Sequence, residues 1–468
     1  MNDNDKQSGF YLLSDNTDAF IARLALASIA KKTLDIQYYI MHKDASGQHL
    51  AYAILAAADR GVKVRILVDD INLSGRDSQF KALSQHDNIQ IRIFNPLRSR
   101  NWFRNIELII NLDRAGRRMH NKAFISDNSA AIIGGRNIGD EYFDARHTRN
   151  FVDLDLFSVG PIVDDISISF NDYWDSHWAT PIESLSAVVV VKKQLTHIRS
   201  RLKDRWHHTI NSAYFRTLEQ ADLTQKIINK KIPFIWADAR LFYDRPEKLN
   251  RNRQEKTIHF GPHIKPYLEN ASQEILMASP YFVPGSSGVN WFNKKCQHDI
   301  KIKVLTNSLA TTDVIAVHAG YKKYRTQLLK DGVELYELKP SARRSLLPKN
   351  KLTKASSTAS LHAKYMILDR RYVFIGSANI DPRSKNLNTE IGIMVDSKEL
   401  AKQTSELFNR TTSLENSYRL SLNKKNNTLL WLTREHGGNR EYKGEPNAGF
   451  LRKLGVFILS LLPIEDLL

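Results

Sequence analysis

Two stretches of this chain repeat one polar pattern, His-x-Lys-x4-Asp followed by Gly-[Gly/Ser]-x-Asn. The first is His120, Lys122, Asp127, Gly134, Gly135 and Asn137; the second is His362, Lys364, Asp369, Gly376, Ser377 and Asn379. These residue types suit cleavage of a phosphodiester, which needs a nucleophile at phosphorus, a proton for the leaving oxygen, and donors around the non-bridging oxygens. Two imidazoles, with ordinary pKa values near ~6.5, can take the first two roles at neutral pH. The pattern assigns His120 as nucleophile, forming a covalent phosphohistidine, and His362 as general acid and later general base. The near symmetry of the copies leaves the reverse order open. Lys122, Lys364, Asn137 and Asn379 are expected to cradle the phosphate, with Gly135 and Ser377 small enough to allow close approach. Asp127 and Asp369 complete the two catalytic motifs, and their place at the end of each suggests bracing of a turn rather than contact with substrate. Carboxylates outside the motifs are needed to fix the histidine tautomers; Asp153 or Asp155 in FVDLDLF and Glu390 in NLNTEIGI are the candidates. A covalent route calls for no metal and no other cofactor.

One His-x-Lys is commonplace, but two copies with the same internal spacing are hard to obtain by chance. In RMHNKAFISD and SLHAKYMILD a strand would put His and Lys on one face and the apolar residues on the core side. The copies sit inside larger repeats. His120 and His362 are 242 positions apart, as are Tyr39 in LDIQYYI and Tyr281 in LMASPYFV. GVKVRILVDD matches DIKIKVLTNS, and NIQIRIFNP matches GVELYELKP, at slightly different offsets. The period is far too long for a solenoid, so the expectation is a duplicated domain, the two copies facing one another about a pseudo-two-fold axis with both His-Lys pairs in one cleft. Apolar strand-like runs alternate with helical ones such as 51–60 and 316–330, which predicts an α/β fold: two similar α/β/α sandwich domains with mixed central sheets. The expected division is 1–180 and 263–415 for the domains, 181–262 for an insertion without counterpart in either repeat, and 416–468 for a C-terminal tail.

With 468 residues the chain has room for two cores. A single cysteine, Cys296, excludes an internal disulfide, and no Cys/His cluster has zinc-site spacing. The N-terminus MNDNDKQSGFYLL lacks a basic segment and a long apolar run, so no secretory signal is expected. The 68 basic and 50 acidic residues give a net charge of +18, suited to nucleic acid, an anionic membrane or plain solubility. Before the first motif, Arg98, Arg100, Arg104, Arg114, Arg117 and Arg118 interleave with Trp102, Phe103, Leu108, Ile109 and Ile110; before the second, Arg343, Arg344, Lys349, Lys351 and Lys354 surround Leu346 and Leu347. Basic-plus-apolar rims of this kind suit a substrate with a phosphate and greasy chains, though solvated loops look the same. The run Leu454 to Ile464, after Arg452 and Lys453, fits either an interfacial helix or a helix docked on the protein's own core. His318 in VHAGY is equally ambiguous, near a lipid headgroup or simply packed.

The paired motifs resemble the HKD motifs of the phospholipase D superfamily, from about Leu34 to Glu390. LDIQYYI, GGRNIGDEYF, TNSLATTDVIAVHAGY, VELYELKP, GSANIDPRS and LLPIEDLL are similar to cardiolipin synthases of the bacterial C type. The resemblance implies a phosphatidyltransferase that makes cardiolipin from phosphatidylglycerol and a second phospholipid, phosphatidylethanolamine or phosphatidylglycerol. Its partners would be anionic and zwitterionic phospholipids at a membrane surface, not nucleic acid, with peripheral attachment on the cytoplasmic side of a bacterial inner membrane. A lipid hydrolase, a nucleic-acid phosphodiesterase and a noncatalytic membrane-binding protein are the alternatives; a stacking groove for nucleic acid would want regularly placed exposed aromatics. Two departures matter. Gly135 stands where the second copy has Ser377, and the chain lacks the opening transmembrane helices of some cardiolipin synthases.

Overall fold

A computed structural model describes residues 6–100, 112–185, 192–210, 221–229, 231–250, 255–342, 357–423 and 425–462, with Leu218 and Glu465. The chain forms two compact units. The first comprises Met1–Ala145, Asp155–Pro262 and Leu387–Ile393; the second comprises Arg146–Leu154, His263–Asn386 and Met394–Leu468. The linear division expected from the sequence cuts across these units. The insertion belongs to the first, the tail to the second, and each unit is completed by a short segment from the other half of the sequence.

In the first unit β2 (Thr33–Tyr38), β3 (Lys63–Asp69) and β4 (Ile89–Phe94) run parallel. Their nearly continuous burial is what parallel strands covered on both faces require. Helix α1 (Asn16–Ile29) leads into β2, and α2 (Ala45–Asp59) makes the crossover to β3. Asp15 starts α1 by accepting the amides of Thr17 at 2.8 Å and Asp18 at 3.1 Å. Antiparallel to β2 lies β5 (Ala123–Ser126), followed outward by β6 (Ala130–Gly134), β8 (Asp155–Val159), β1 (Ser8–Leu13) and β10 (Ile235–Tyr243). On the other edge β9 (Ala179–Pro181) pairs antiparallel with β4. The insertion is therefore more than a solvated excursion, because its β10 extends the sheet.

The second unit repeats the plan. β11 (Glu274–Ala278), β12 (Lys301–Asn307) and β13 (Glu334–Leu338) are parallel; β15 (Tyr365–Leu368) adds antiparallel to β11, β16 (Tyr372–Gly376) antiparallel to β15, and β17 (Ile391–Asp396) comes next in the chain. Beyond β13 the sheet continues antiparallel through β18 (Ser417–Leu422), β19 (Leu429–Glu435) and β20 (Gly438–Tyr442), so much of the tail is sheet. A separate parallel pair joins β14 (Thr358–Leu361) to β7 (Arg149–Val152), the segment contributed from the first half of the sequence. The helical run expected at 316–330 is divided into α9 (Ile315–Lys322) and α10 (Arg325–Lys330). Further helices are α3 (Asp77–Leu83), α4 (Ile162–Trp174), α5 (Lys192–Ile210), α6 (Asp222–Ile228), α7 (Phe260–Asn270), α8 (Gly285–Gln297) between β11 and β12, and α11 (Lys398–Thr412) before β18.

Candidate active site

His120 and Lys122 sit immediately before β5, and His362 and Lys364 between β14 and β15, so the motifs enter their strands rather than lying within the ladder. The reason is the hydrogen bonding of the histidine backbone. In the first unit His120 N donates to Thr389 O at 3.0 Å, and Thr389 N returns to Arg118 O at 2.9 Å. In the second, His362 N donates to Val152 O at 2.8 Å at the end of the β14–β7 pair. The residue following each acceptor is the orienting acid. Glu390 Oε2 lies 2.9 Å from His120 Nδ1, and Asp153 Oδ2 lies 2.6 Å from His362 Nδ1. One short strand contact thus fixes both the backbone and the ring of each histidine. With a carboxylate accepting, Nδ1 carries the proton and the lone pair falls on Nε2. Both expected acids are in place, whereas Asp155 turns to other work: it pairs with Arg23 at 2.8 Å and Arg136 at 3.2 Å in the core of the first unit.

Lys122 and Lys364 are each 1% exposed, and each ammonium donates to the carbonyl of its own motif histidine. Lys122 Nζ also stands 5.4 Å over the Tyr39 ring, whose edge meets His120 at 5.0 Å. Burial pushes the His362 imidazole below its ordinary pKa, and the Lys364 ammonium adds to that; Asp153, and behind it Asp313, pull the other way. Phe151 packs on His362 with ring centres 4.9 Å apart.

Asp127 and Asp369 are framework. Each takes a left-handed conformation (φ 53° and 51°) at the hairpin after its strand, a region that aspartate tolerates better than most residues. Asp127 accepts the amides of Lys31, Lys32 and Thr33; Asp369 accepts those of Ser272, Gln273 and Glu274. Burial alone would raise both carboxyls, but these amides hold them below the usual carboxylate value.

The asparagines differ. Asn137 is 1% exposed, its oxygen accepting from Ile40 N at 3.2 Å and its amide donating to Tyr142 Oη at 2.9 Å. Asn379 is half-buried, and its Oδ1 has no hydrogen-bond partner among the described residues. Gly135 and Ser377 are buried directly after β6 and β16.

Of the basic rim expected before the first motif, Arg98 is exposed, but other arginines turn inward. Arg100 pairs with Asp70 and Asp77, Arg114 donates to Pro96 O, Arg117 to the carbonyls of Leu249 and Asn250, and Arg118 to Asp69 and Asn95 O. Burial of Arg117 and Arg118 requires such partners, and the side chains turn inward to find them. Arg104, Trp102, Phe103 and Leu108 to Ile110, like Arg343, Arg344, Leu346, Leu347, Lys349, Lys351 and Lys354 before the second motif, lie outside the described residues. His318 is a packed helix histidine, 2% exposed and 3.4 Å from Glu445, in a network with Arg325 and Glu337.

Two residues not anticipated from the sequence support the histidines. Asp244, from the insertion, accepts Glu390 N, Phe260 N and Lys248 Nζ, each at 2.8 Å, and so holds the segment that carries Glu390. Asp313, on the loop after β12, accepts Tyr281 Oη at 2.7 Å beside His362. No repeated motif marks either position.

Two α/β units of one plan, each presenting a carboxylate-oriented histidine with a buried lysine two residues on, define a phospholipase D superfamily protein. Residues 24–174 and 264–412 match the family described as cardiolipin synthase, PLD-like domain, and the chain belongs to that family. It is 38% identical over 463 residues to cardiolipin synthase C of Escherichia coli, covering 99% of this chain and 96% of that one. To cardiolipin synthase A of Pseudomonas entomophila it is 24% identical, over 85% of this chain and 67% of the relative. The crystal structure of phosphatidylserine synthase from Haemophilus influenzae shares the fold, with a TM-score of 0.61 at 12% identity, over 99% of this chain and 98% of that one.

Proposed function

We propose that this chain transfers a phosphatidyl group onto phosphatidylglycerol to make cardiolipin, with His120 and His362 as its catalytic histidines. The observation that carries the reading is the matched pair of buried imidazoles, each held at Nδ1 by a carboxylate, at 2.9 Å and 2.6 Å. His120 Nε2 attacks the donor phosphorus, the bond from phosphorus to the headgroup oxygen breaks, and His362 protonates the departing alcohol. Ethanolamine or glycerol leaves, according to the donor. His362, now neutral, takes the proton from a glycerol hydroxyl of the acceptor; that oxygen attacks the phosphohistidine, and His120 is released.

The lowered pKa of His362 fits this cycle, because a phosphodiester anion beside it favours the imidazolium and so charges the acid when there is a leaving group to protonate. Lys122 and Lys364 supply buried positive charge. Asn379 Oδ1, without a partner among the described residues, marks an amide that can rotate to offer N–H to a phosphate oxygen without breaking a bond at that oxygen. The single cysteine suits the cytoplasmic face of an inner membrane as the place of action.

The test is product analysis of labelled phosphatidylglycerol vesicles, with and without phosphatidylethanolamine, using the protein and its His120→Ala variant. Cardiolipin from the intact protein alone is expected. Phosphatidic acid alone would make the chain a hydrolase, and absence of any lipid turnover would overturn the reading.

A further inference from the structure

Helix α12 (Phe450–Ser460) is held to the protein along one side only. Its anchoring side combines a small apolar contact, in which Val456 and Leu459 meet Leu309, Ala319 and Ile315, with polar ties from Arg452. Arg452 donates to Leu309 O at 2.9 Å and Thr312 O at 2.6 Å, Val456 is its one buried side chain, packed with Leu309 and Ala319, and past the helix Glu465 meets Tyr324 Oη and Lys323. The opposite side is apolar and open: Phe450 is 76% exposed, Leu451 80%, Phe457 56% and Leu461 71%, with Leu454 and Ile458 between them. At about 100° per residue these six fall on one continuous face, with exposed Lys453 at its edge. One side of the run expected as an interfacial or docked helix is thus docked on the protein, and the other side is exposed.

We propose that this outer face is a lipid-docking surface, lying in the headgroup region of a phospholipid bilayer and bringing the His362 half-site to its substrate. The proposal rests on the phosphatidyltransfer reading for the choice of a lipid occupant. Three observations favour a bilayer. A contiguous stripe of six large apolar side chains is a poor surface to leave in water. Lys453 at its border and the net charge of +18 complement anionic headgroups. The helix is also pinned to the 308–313 loop, through Leu309 O and Thr312 O, and that loop carries Asp313 beside His362. At 11 residues α12 reaches about 16 Å, against a hydrocarbon core of roughly 30 Å, so it lies along the surface; no helix among the described residues is long and apolar enough to cross a membrane.

The test compares the protein with a Leu451→Asp, Phe457→Asp, Leu461→Asp variant, whose exposed positions leave the packing around Val456 untouched. Sedimentation with vesicles of phosphatidylglycerol and phosphatidylethanolamine is expected to show binding weakened roughly tenfold or more. Turnover on vesicles should fall with it, while turnover of monomeric short-chain phosphatidylglycerol stays within about twofold. Independently, Phe457→Cys carrying an environment-sensitive dye, with Cys296→Ser, should brighten on vesicles and be quenched by bilayer lipids brominated along the acyl chain. Unchanged vesicle binding by the triple variant, or a dye that stays dark, overturns the proposal. So does a face that proves to pair two copies, seen as a parent dimer, a monomeric variant and equal vesicle binding. Face-dependent vesicle binding by a protein that turns over no lipid would uphold docking and sink the phosphatidyltransfer reading instead.

Discussion

The half-site around His120 is closed by its own unit, and the half-site around His362 is less complete. In the first, Glu390 is held through Asp244, Tyr39 stands against both His120 and Lys122, and Asn137 is tied to Ile40 and Tyr142. In the second, Asn379 Oδ1 has no partner among the described residues, and Tyr281 donates to Asp313, whose carboxylate also acts on His362. A rigid, satisfied site suits a nucleophile that must meet phosphorus in one orientation. A site with an asparagine oxygen left open would suit the histidine proposed to handle two different alcohols in turn. The duplicated sequence has kept the chemistry and let the surroundings diverge.

The largest effect expected is from His120→Ala or His362→Ala, each lowering transfer on the order of 10⁴-fold or more with folding retained; if either variant kept more than a few per cent of activity, its half-site would not be part of the machinery. Next come the orienting acids. Glu390→Gln and Asp153→Asn should each cost roughly 10²- to 10⁴-fold. They should differ in pH dependence. Asp153 raises the pKa of His362, so its loss lets that pKa fall further below the ordinary value, and the basic limb of the rate profile moves to lower pH. Glu390→Gln should leave that limb in place, and a profile recorded for both variants decides the matter.

The asparagines sharpen the contrast. Asn137→Ala strands a backbone amide and a tyrosine hydroxyl, a stability cost of about 1–3 kcal/mol visible in thermal melting. Asn379→Ala should leave the melting temperature alone and slow turnover roughly 10- to 100-fold. The smallest effect is at Asp127 and Asp369, where Asn substitution should cost about 1 kcal/mol and change the rate per folded molecule less than twofold. Their folded pKa values lie below the usual carboxylate value, so their stabilisation is complete above that value and is lost as pH falls through the depressed one; acid unfolding of Asp127→Asn against the parent measures it.

Much of the site was legible because its spacing is local. A His-x-Lys lead-in, an aspartate able to turn left-handed, and an acid beside the strand that pairs with the histidine leave marks within a few residues of one another or in both repeats. What stayed hidden depends on partners far away in sequence. Arg118 and Asp69 are 49 residues apart and buried together, and nothing in LRSRNWFRN or DRAGRRM distinguishes an arginine facing water from one facing inward. Asp244 sits in an insertion with no second copy to compare. The choice between Asp153 and Asp155 needed the backbone, since the two lie two residues apart and serve different units.

The most direct test of the division of labour is to trap the covalent intermediate. A phosphatidyl ester with a leaving group acidic enough to need no proton is given to His362→Ala and His120→Ala, and the quenched proteins are digested and weighed. The account predicts one phosphatidyl adduct on the peptide carrying His120, formed in His362→Ala and persisting because no base activates an acceptor, and no adduct in His120→Ala. An adduct on His362, or none in either variant under turnover conditions, would contradict it.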